Sequence, residues 1–275
     1  MTRKTSVISH MAPNALADED DIFDAVGGFG RYQAMQFFIM SLTSFFGVDL
    51  LYNNFILYMP DHWCKVDQLD GYSNLSIAEL KNLTIPWDET TGSYSSCEMY
   101  DPHFDNGSFL HENVIPLVPC HSWNFDDSEY SETIVTKFQL VCSKAWLVDF
   151  VSSAQSLGKL IGSCIAGWLS DRFGRLKGLS ASLMVKVIGG FLCVFPPNYV
   201  VFTIGRSLVG MGNLGVYMIS FVLIMETTSP VHRTWMGVVH SLMYSIGSMF
   251  LAGLAYFVRN WQTVQINSMV ANPDS

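Results

Sequence analysis

Five stretches of mostly apolar residues, 34–58, 146–169, 179–195, 200–225 and 235–258, restrict what this 275-residue chain can fold into. A helix needs about 20 such residues to cross the hydrocarbon of a bilayer. Lipid offers no hydrogen-bond partner to an open backbone, so each run is confined to helix. The third run is the shortest and stops at Pro196-Pro197-Asn198. Only 14% of the residues are charged, against roughly 25% in an ordinary soluble domain. The expected fold class is therefore all-α and polytopic, with the lipid bilayer as its surroundings. The first run begins only at residue 34 and has no small-residue cleavage site, so it does not read as a secretory signal peptide.

Charge between the runs fixes the expected orientation. The turn after the second run carries Arg172, Arg175 and Lys177, and the turn after the fourth carries His232 and Arg233. The formal net charge of −9 is concentrated in the long segment after the first run. Positive turns stay on the cytosolic side. That places 1–33 in the cytosol, 59–145 outside the cell, spans two to five in 146–258, and a short polar tail in 259–275. The acidity belongs to one loop. With no basic stripe or groove-reading motif, nucleic acid is not an expected partner.

The loop is the one soluble segment large enough to fold. It holds Cys64, Cys97, Cys120 and Cys142 and the glycosylation acceptors Asn74-Leu75-Ser76, Asn82-Leu83-Thr84 and Asn106-Gly107-Ser108. Four cysteines in an oxidising compartment predict two disulfides, in any of three pairings. The histidines at 62, 103, 111 and 121 match no ligand spacing, so no metal is expected. Cys164 and Cys193 lie within runs and read as free, buried thiols.

Ionisable residues at bilayer depth are expensive and mark candidate functional positions. They are Asp49, Asp149, Lys159, Lys186 and Arg206. Asp49 and Asp149 fall near outer helix ends, where they can reach the interface. Arg206 can snorkel outward. Lys159 sits near mid-depth, where snorkelling is least effective, and is expected either to line a polar cavity or to form an internal ion pair. Small residues spaced four apart, Gly158 with Gly162 and Ser163 with Gly167, together with Gly205, Gly210, Gly212 and Gly215, predict close helix packing.

Two charged motifs share the cytosolic face. Gly167-Trp-Leu-Ser-Asp171-Arg172-Phe-Gly174-Arg175 links the second and third runs, and Glu226 stands seven residues before Arg233 between the fourth and fifth. Opposite charges at half-buried helix ends form pairs that break and re-form between packings, as a gate requires. Exposed flanking charges of little energetic weight are the alternative.

With Asp21-Ile-Phe-Asp-Ala-Val-Gly27, Met59-Pro-Asp-His-Trp-Cys64 and Ser131 to Cys142, these motifs resemble the organic cation/organic anion/carnitine transporter family (solute carrier family 22) of the major facilitator superfamily. The resemblance covers roughly residues 20–262. It implies a twelve-span fold of two six-helix halves with substrate bound between them at mid-membrane. This chain would be an incomplete bundle, five spans of the N-terminal half, with a disulfide-bonded loop domain. The implied substrate cavity involves Asp149, Ser156, Lys159, Tyr217 and Phe221. The implied cytosolic gate comprises Gly167, Asp171, Arg172, Gly174, Arg175, Glu226 and Arg233. Aromatic rings and a carboxylate suit an organic cation, but Lys159 stands where the family usually has an apolar or aromatic residue. In the cavity it would favour an anion or zwitterion, so both signs of substrate stay open.

The expected function is secondary transport of organic cations, carnitine-like zwitterions or organic anions by alternating access, with no cofactor, and this chain represents the carrier's N-terminal half. The tail after Trp261 is too short and polar for a sixth span. A fragment is therefore expected, with its C-terminal half elsewhere. The alternative is a truncated glycoprotein that interferes with a full-length carrier. No nucleophile–base set, metal cluster or phosphate loop marks an enzyme, and no residue is assigned a catalytic role.

Overall fold

The computed structural model describes residues 30–45, 53, 55–65, 77–88, 92–100, 117–126, 133–228 and 230–257. Five helices of fifteen or more residues dominate the described residues. Helix α1 is Arg31–Phe45. A loop module follows, with β1 His62–Cys64, α2 Ile77–Thr84, β2 Trp87–Asp88, β3 Ser93–Tyr94, β4 Glu98–Tyr100, β5 Leu117–Pro119, β6 Trp123–Phe125 and α3 Ile134–Phe138. The chain then runs through α4 Trp146–Phe173, α5 Arg175–Val194, α6 Tyr199–Thr227 and α7 Pro230–Phe257.

Three helical segments, Arg175–Val194, Tyr199–Thr227 and His232–Gly253, are long and apolar enough to cross a membrane by length and composition. Helix α4 has 28 residues but includes Asp149, Lys159, Asp171 and Arg172, which lower its apolarity. The helices outrun the apolar stretches that predict them. Helix α5 starts at Arg175 and α7 at Pro230, because polar residues at the ends extend a helix already stabilised by its apolar middle.

The all-α expectation needs one correction. Among the described residues the loop module contains three two-stranded antiparallel sheets, pairing β1 with β6, β2 with β3, and β4 with β5. Its cysteines pair as Cys64–Cys120 and Cys97–Cys142. The second bridge fastens the β4–β5 sheet to the 3-10 turn Cys142–Lys144 that leads into α4. A capping box at α3 satisfies its first amides, with Thr136 N–H donating to Thr133 Oγ1 and Thr133 N–H to Thr136 Oγ1. Ile134, Val135, Leu140 and Val141 then bury themselves with Val151, Phe202 and Ile56, so the module shares a core with the ends of α4 and α6. Of the acceptor asparagines, Asn82 lies exposed on α2 and accepts from the Tyr94 hydroxyl. Asn74 and Asn106 are outside the described residues.

Helix α6 is the hub, packed most extensively against α5 and α4. Close approach requires glycine here. A Cβ on Gly158 of α4 would stand 2.2 Å from the Ser207 carbonyl oxygen, and one on Gly212 of α6 would stand 2.6 Å from the Lys186 nitrogen. Gly162 makes a similar approach to Met211, whereas nothing lies within 4 Å of a Cβ at Gly167. The Gly158/Gly162 pair therefore serves packing, and Gly167 does not. Outward faces are apolar: Leu157, Leu160 and Ile165 on α4, Met184, Ile188 and Phe191 on α5, and Leu242, Ile246 and Met249 on α7 are exposed. An apolar exterior around a tightly packed interior is the arrangement a lipid environment calls for.

Gly158→Ala is expected to lower the thermal unfolding temperature of the detergent-solubilised chain, since overpacking against backbone costs about 1–3 kcal/mol. Gly167→Ala, with open space beside it, should leave that temperature unchanged. Equal shifts in the two variants would contradict the packing described.

Candidate functional site

Three polar clusters lie along the helix bundle, at its two ends and at its middle. The middle one lines a cavity of about 290 Å³. Thr43 and Ser44 of α1, Lys159 of α4, Asn213 and Tyr217 of α6, and Tyr244 of α7 face it, with Leu214 and Val216. Its depth follows from position along each helix. Lys159 has thirteen residues of α4 before it and fourteen after. Asn213 has fourteen residues of α6 on each side. Tyr244 has fourteen residues of α7 before it and thirteen after. At 1.5 Å rise per residue, each lies about 20 Å from either end of its helix.

His240 buttresses this cavity from behind. It is fully buried, and its ring nitrogen Nε2 lies 2.8 Å from the Ser44 hydroxyl, joining α7 to α1. Its ring packs beside Tyr217 at 5.3 Å and Phe221 at 6.0 Å. On the neighbouring wall, Thr43 Oγ1 lies 3.4 Å from Ser220 Oγ, tying α1 to α6.

The cavity gathers Lys159 and Tyr217 from the residues expected there, and leaves three elsewhere. Phe221 packs against His240 and lines a separate open groove with Met225, Arg233 and Gly237. Ser156 is exposed and donates to the Ser152 carbonyl of its own helix. Asp149 is exposed in the first turn of α4, ten residues or about 15 Å from Lys159.

The second cluster closes the end of the bundle where α4 turns into α5. Gly174 makes that turn with φ at +97°, a conformation that favours glycine. The turn swings Arg175 back over α4 and across to α6. Its Nη2 donates to Glu226 Oε1 at 2.7 Å, and Nε reaches both carboxylate oxygens at 3.1 and 3.2 Å. Its Nη1 donates to Asp171 at 2.5 Å and to Ser170 Oγ at 2.9 Å. One guanidinium thus links three helices. Glu226 therefore meets Arg175, one of the charges expected on the same face. Arg233 Nε instead donates to the Thr228 carbonyl at 3.1 Å. Arg172 stacks on Trp168 and Phe173 of its own helix. Beside the cluster, Gln33 Nε2 donates to the Thr227 carbonyl, adding α1 to this end.

The third cluster lies toward the disulfide-bearing end. Arg206 is buried and donates through Nη2 to Asn53 Oδ1 and to Gln155 Oε1, while Asn53 Nδ2 donates to Gln155 Oε1. The expectation that Arg206 snorkels outward is thus corrected: amide oxygens hold it inside the bundle. Asp49 is outside the described residues. Of the two free cysteines, Cys193 is buried against α6 but Cys164 is exposed, correcting its reading as a buried filler. His62 lies within reach of Cys97 and Cys142, but those sulfurs are bonded to one another and offer no thiolate to a metal.

Comparison with known proteins decides the family. The sequence profile described as Sugar (and other) transporter matches residues 35–271. The chain belongs to this family of transporters. This transporter-family chain is 34% identical over 248 residues to the organic cation transporter-like protein of Drosophila melanogaster, covering 90% of this chain and 43% of that one. It is 29% identical to solute carrier family 22 member 2 of Rattus norvegicus, covering 92% of this chain and 48% of that protein. It is 28% identical to the beta-alanine transporter of Drosophila melanogaster, covering 90% and 45%. The resemblance to solute carrier family 22 read from the motifs is borne out. The chain spans less than half the length of these curated relatives.

Sequence reasoning on formal charges missed Ser44, Asn53, Gln155, Asn213 and His240. Each is a polar residue inside an apolar run, and that interruption was the available signal.

Burial separates the energetics of the two end clusters. Arg175 and Glu226 keep 28% and 47% of their side-chain surface exposed, so breaking their pair should cost under about 1 kcal/mol. Gln155→Leu leaves a buried guanidinium short of an acceptor, which costs about 1–3 kcal/mol or more. Thermal unfolding should therefore show a clear loss for Gln155→Leu and a small one for Glu226→Ala. The reverse order would contradict the assignment.

Proposed function

We propose that this chain is the N-terminal half of a secondary carrier that moves small organic ions across the plasma membrane by alternating access. The cavity at the midpoint of α4, α6 and α7 carries this reading. Binding at mid-bilayer lets one site face either side through modest helix movements. A cavity lined by protein also holds Lys159 at a depth where lipid would not tolerate it. The names of the organic cation and beta-alanine transporters among its relatives support small charged solutes as the cargo class.

In this reading 34–58 and α4 to α7 are five spans. The turn bearing Asp171 is cytosolic, and the glycosylated disulfide module 59–145 is extracellular. The Arg175 cluster is the cytosolic gate. Its three carboxylate and hydroxyl partners come from two helices, and their exposure keeps the closed arrangement cheap to break. A gate needs this balance, because a latch worth many kcal/mol would not open on the timescale of transport. Arg172 contributes a cation at the membrane face, stacked on its own helix's aromatics.

Cells expressing the chain together with the C-terminal half of a full-length relative, with surface delivery checked by labelling, should take up at least one of carnitine, tetraethylammonium or an aryl anion above cells expressing either half alone. Asp171→Ala should abolish that uptake. Arg175→Lys keeps the charge but loses the planar fork, and should transport closer to Arg175→Ala than to the unaltered chain. Absence of uptake by the paired halves despite surface delivery would contradict the carrier reading. Full activity in Arg175→Lys would contradict the gate geometry.

A further inference from the structure

The loop module holds a histidine whose chemistry the carrier reading does not use. His62 of β1 places its Nδ1 3.2 Å from the Pro60 carbonyl oxygen. A carbonyl only accepts, so Nδ1 carries the proton and Nε2 the lone pair. Nε2 is buried and has no hydrogen-bond partner among the described residues. It lies within 4.8 Å of the sulfurs of Cys97 and Cys142. Those sulfurs form the more accessible of the two bridges. Cys97 and Cys142 are half-buried, whereas Cys64 and Cys120 are only 3% and 7% exposed. The fold holds all three residues by contacts other than the Cys97–Cys142 bond. His62 pairs with Phe125 across β1 and β6, two residues before Cys64 is bonded to Cys120. The Cys120 N–H donates to the Cys97 carbonyl at 3.1 Å, and Cys142 follows the fully buried Val141.

An imidazole oriented through its other nitrogen by a backbone carbonyl, beside two sulfurs, is a zinc donor set once those sulfurs are thiolates. Tetrahedral zinc, with Zn–S about 2.3 Å and Zn–N about 2.0 Å, needs ligand atoms roughly 3.6–3.8 Å apart. The nitrogen is already near that distance, and the sulfurs have only to part by under about 2 Å when their bond opens. We infer that the loop module carries a redox-gated metal site: reducing the Cys97–Cys142 bridge creates a seat for one zinc ion on Cys97, Cys142 and His62. The reductant is a dithiol. It passes two electrons to the bridge and ends as its own disulfide, while its two protons go to the Cys97 and Cys142 sulfurs. Zinc then displaces both protons, forming two Zn–S bonds and one Zn–N bond to Nε2, with water in the fourth position. The bridge fastens the β4–β5 sheet to the turn that enters α4, so the metal takes over that link from the covalent bond. This inference concerns the module alone and stands apart from the transport reading.

The test uses the purified full chain in lipid nanodiscs, carrying Cys164→Ser to remove the exposed thiol. A limiting amount of dithiothreitol is applied and then removed. Free thiols are alkylated in one portion and located by mass spectrometry, and Cys97 and Cys142 should be labelled before Cys64 and Cys120. The remainder is titrated with Co²⁺, whose thiolate charge-transfer absorption reports ligation by sulfur, and then with Zn²⁺, which should abolish the band. The reduced chain should bind one Co²⁺ with this band, and the untreated chain should show no band. His62→Ala should weaken Co²⁺ binding about tenfold or more and leave the labelling pattern as it is. Should His62→Ala fail to fold, the contrast between reduced and untreated chain, with the order of labelling, still tests the site. Labelling of Cys64 and Cys120 first would overturn the inference. So would the lack of a cobalt–thiolate band after reduction, or Co²⁺ affinity unchanged in His62→Ala.

Discussion

The close approach of α6 to α4 and α5 is the constraint on which the rest of the structure depends. Helices in lipid gain nothing from hiding apolar side chains from one another, so they associate through packing and polar contacts. Gly158 and Gly162 open α4 to the α6 backbone, and Gly212 opens α6 to α5. Once these backbones touch, residues a turn away have no freedom to choose partners. Lys159 is carried into the cavity beside Asn213 because Gly158 and Gly162 are pressed against Ser207 and Met211. Lys186 is likewise set against α6 at Gly212.

The three polar clusters differ in burial, and burial sets what each can do. The Asn53–Gln155–Arg206 group is enclosed, so its hydrogen bonds are costly to break and it holds three segments in register. The Arg175 group is geometrically richer but more exposed, which makes it dissociable. The cavity group lies between these extremes. Partial enclosure strengthens electrostatic attraction to a solute while leaving room for it. A rigid brace, an adaptable cavity and a breakable latch thus follow one another along the same helices. The loop module adds a fixed cap, since its core is continuous with the ends of α4 and α6.

The motifs, the helices and the family were legible in the sequence, because helix periodicity in lipid needs only length and apolarity. The Gly158–Gly162 spacing also announced its contact. Pairings across the bundle were not legible. The spacing of Glu226 and Arg233 along the chain gave no warning that Gly174 turns Arg175 toward Glu226 first. Four cysteines allowed three pairings, and the choice came from strand pairing that short, irregular strands do not signal. Arg206 looked able to snorkel because a long cation near a helix end usually does; neutral amides on other helices held it instead. Ser156 and Asp149 share a helix with Lys159, yet helical phase and a rise of 1.5 Å per residue keep them out of its cavity.

The central proposal is that Lys159 stands in a water-accessible cavity at mid-depth of a bundle that spans the membrane. Cysteine accessibility measures this most directly, in intact membranes and in a background where the exposed Cys164 is replaced by serine. A charged, hydrophilic thiol reagent should modify Lys159→Cys and should leave Ile188→Cys, on the apolar outer face of α5, unmodified. A Lys159→Cys chain that resists the reagent as Ile188→Cys does would contradict the account.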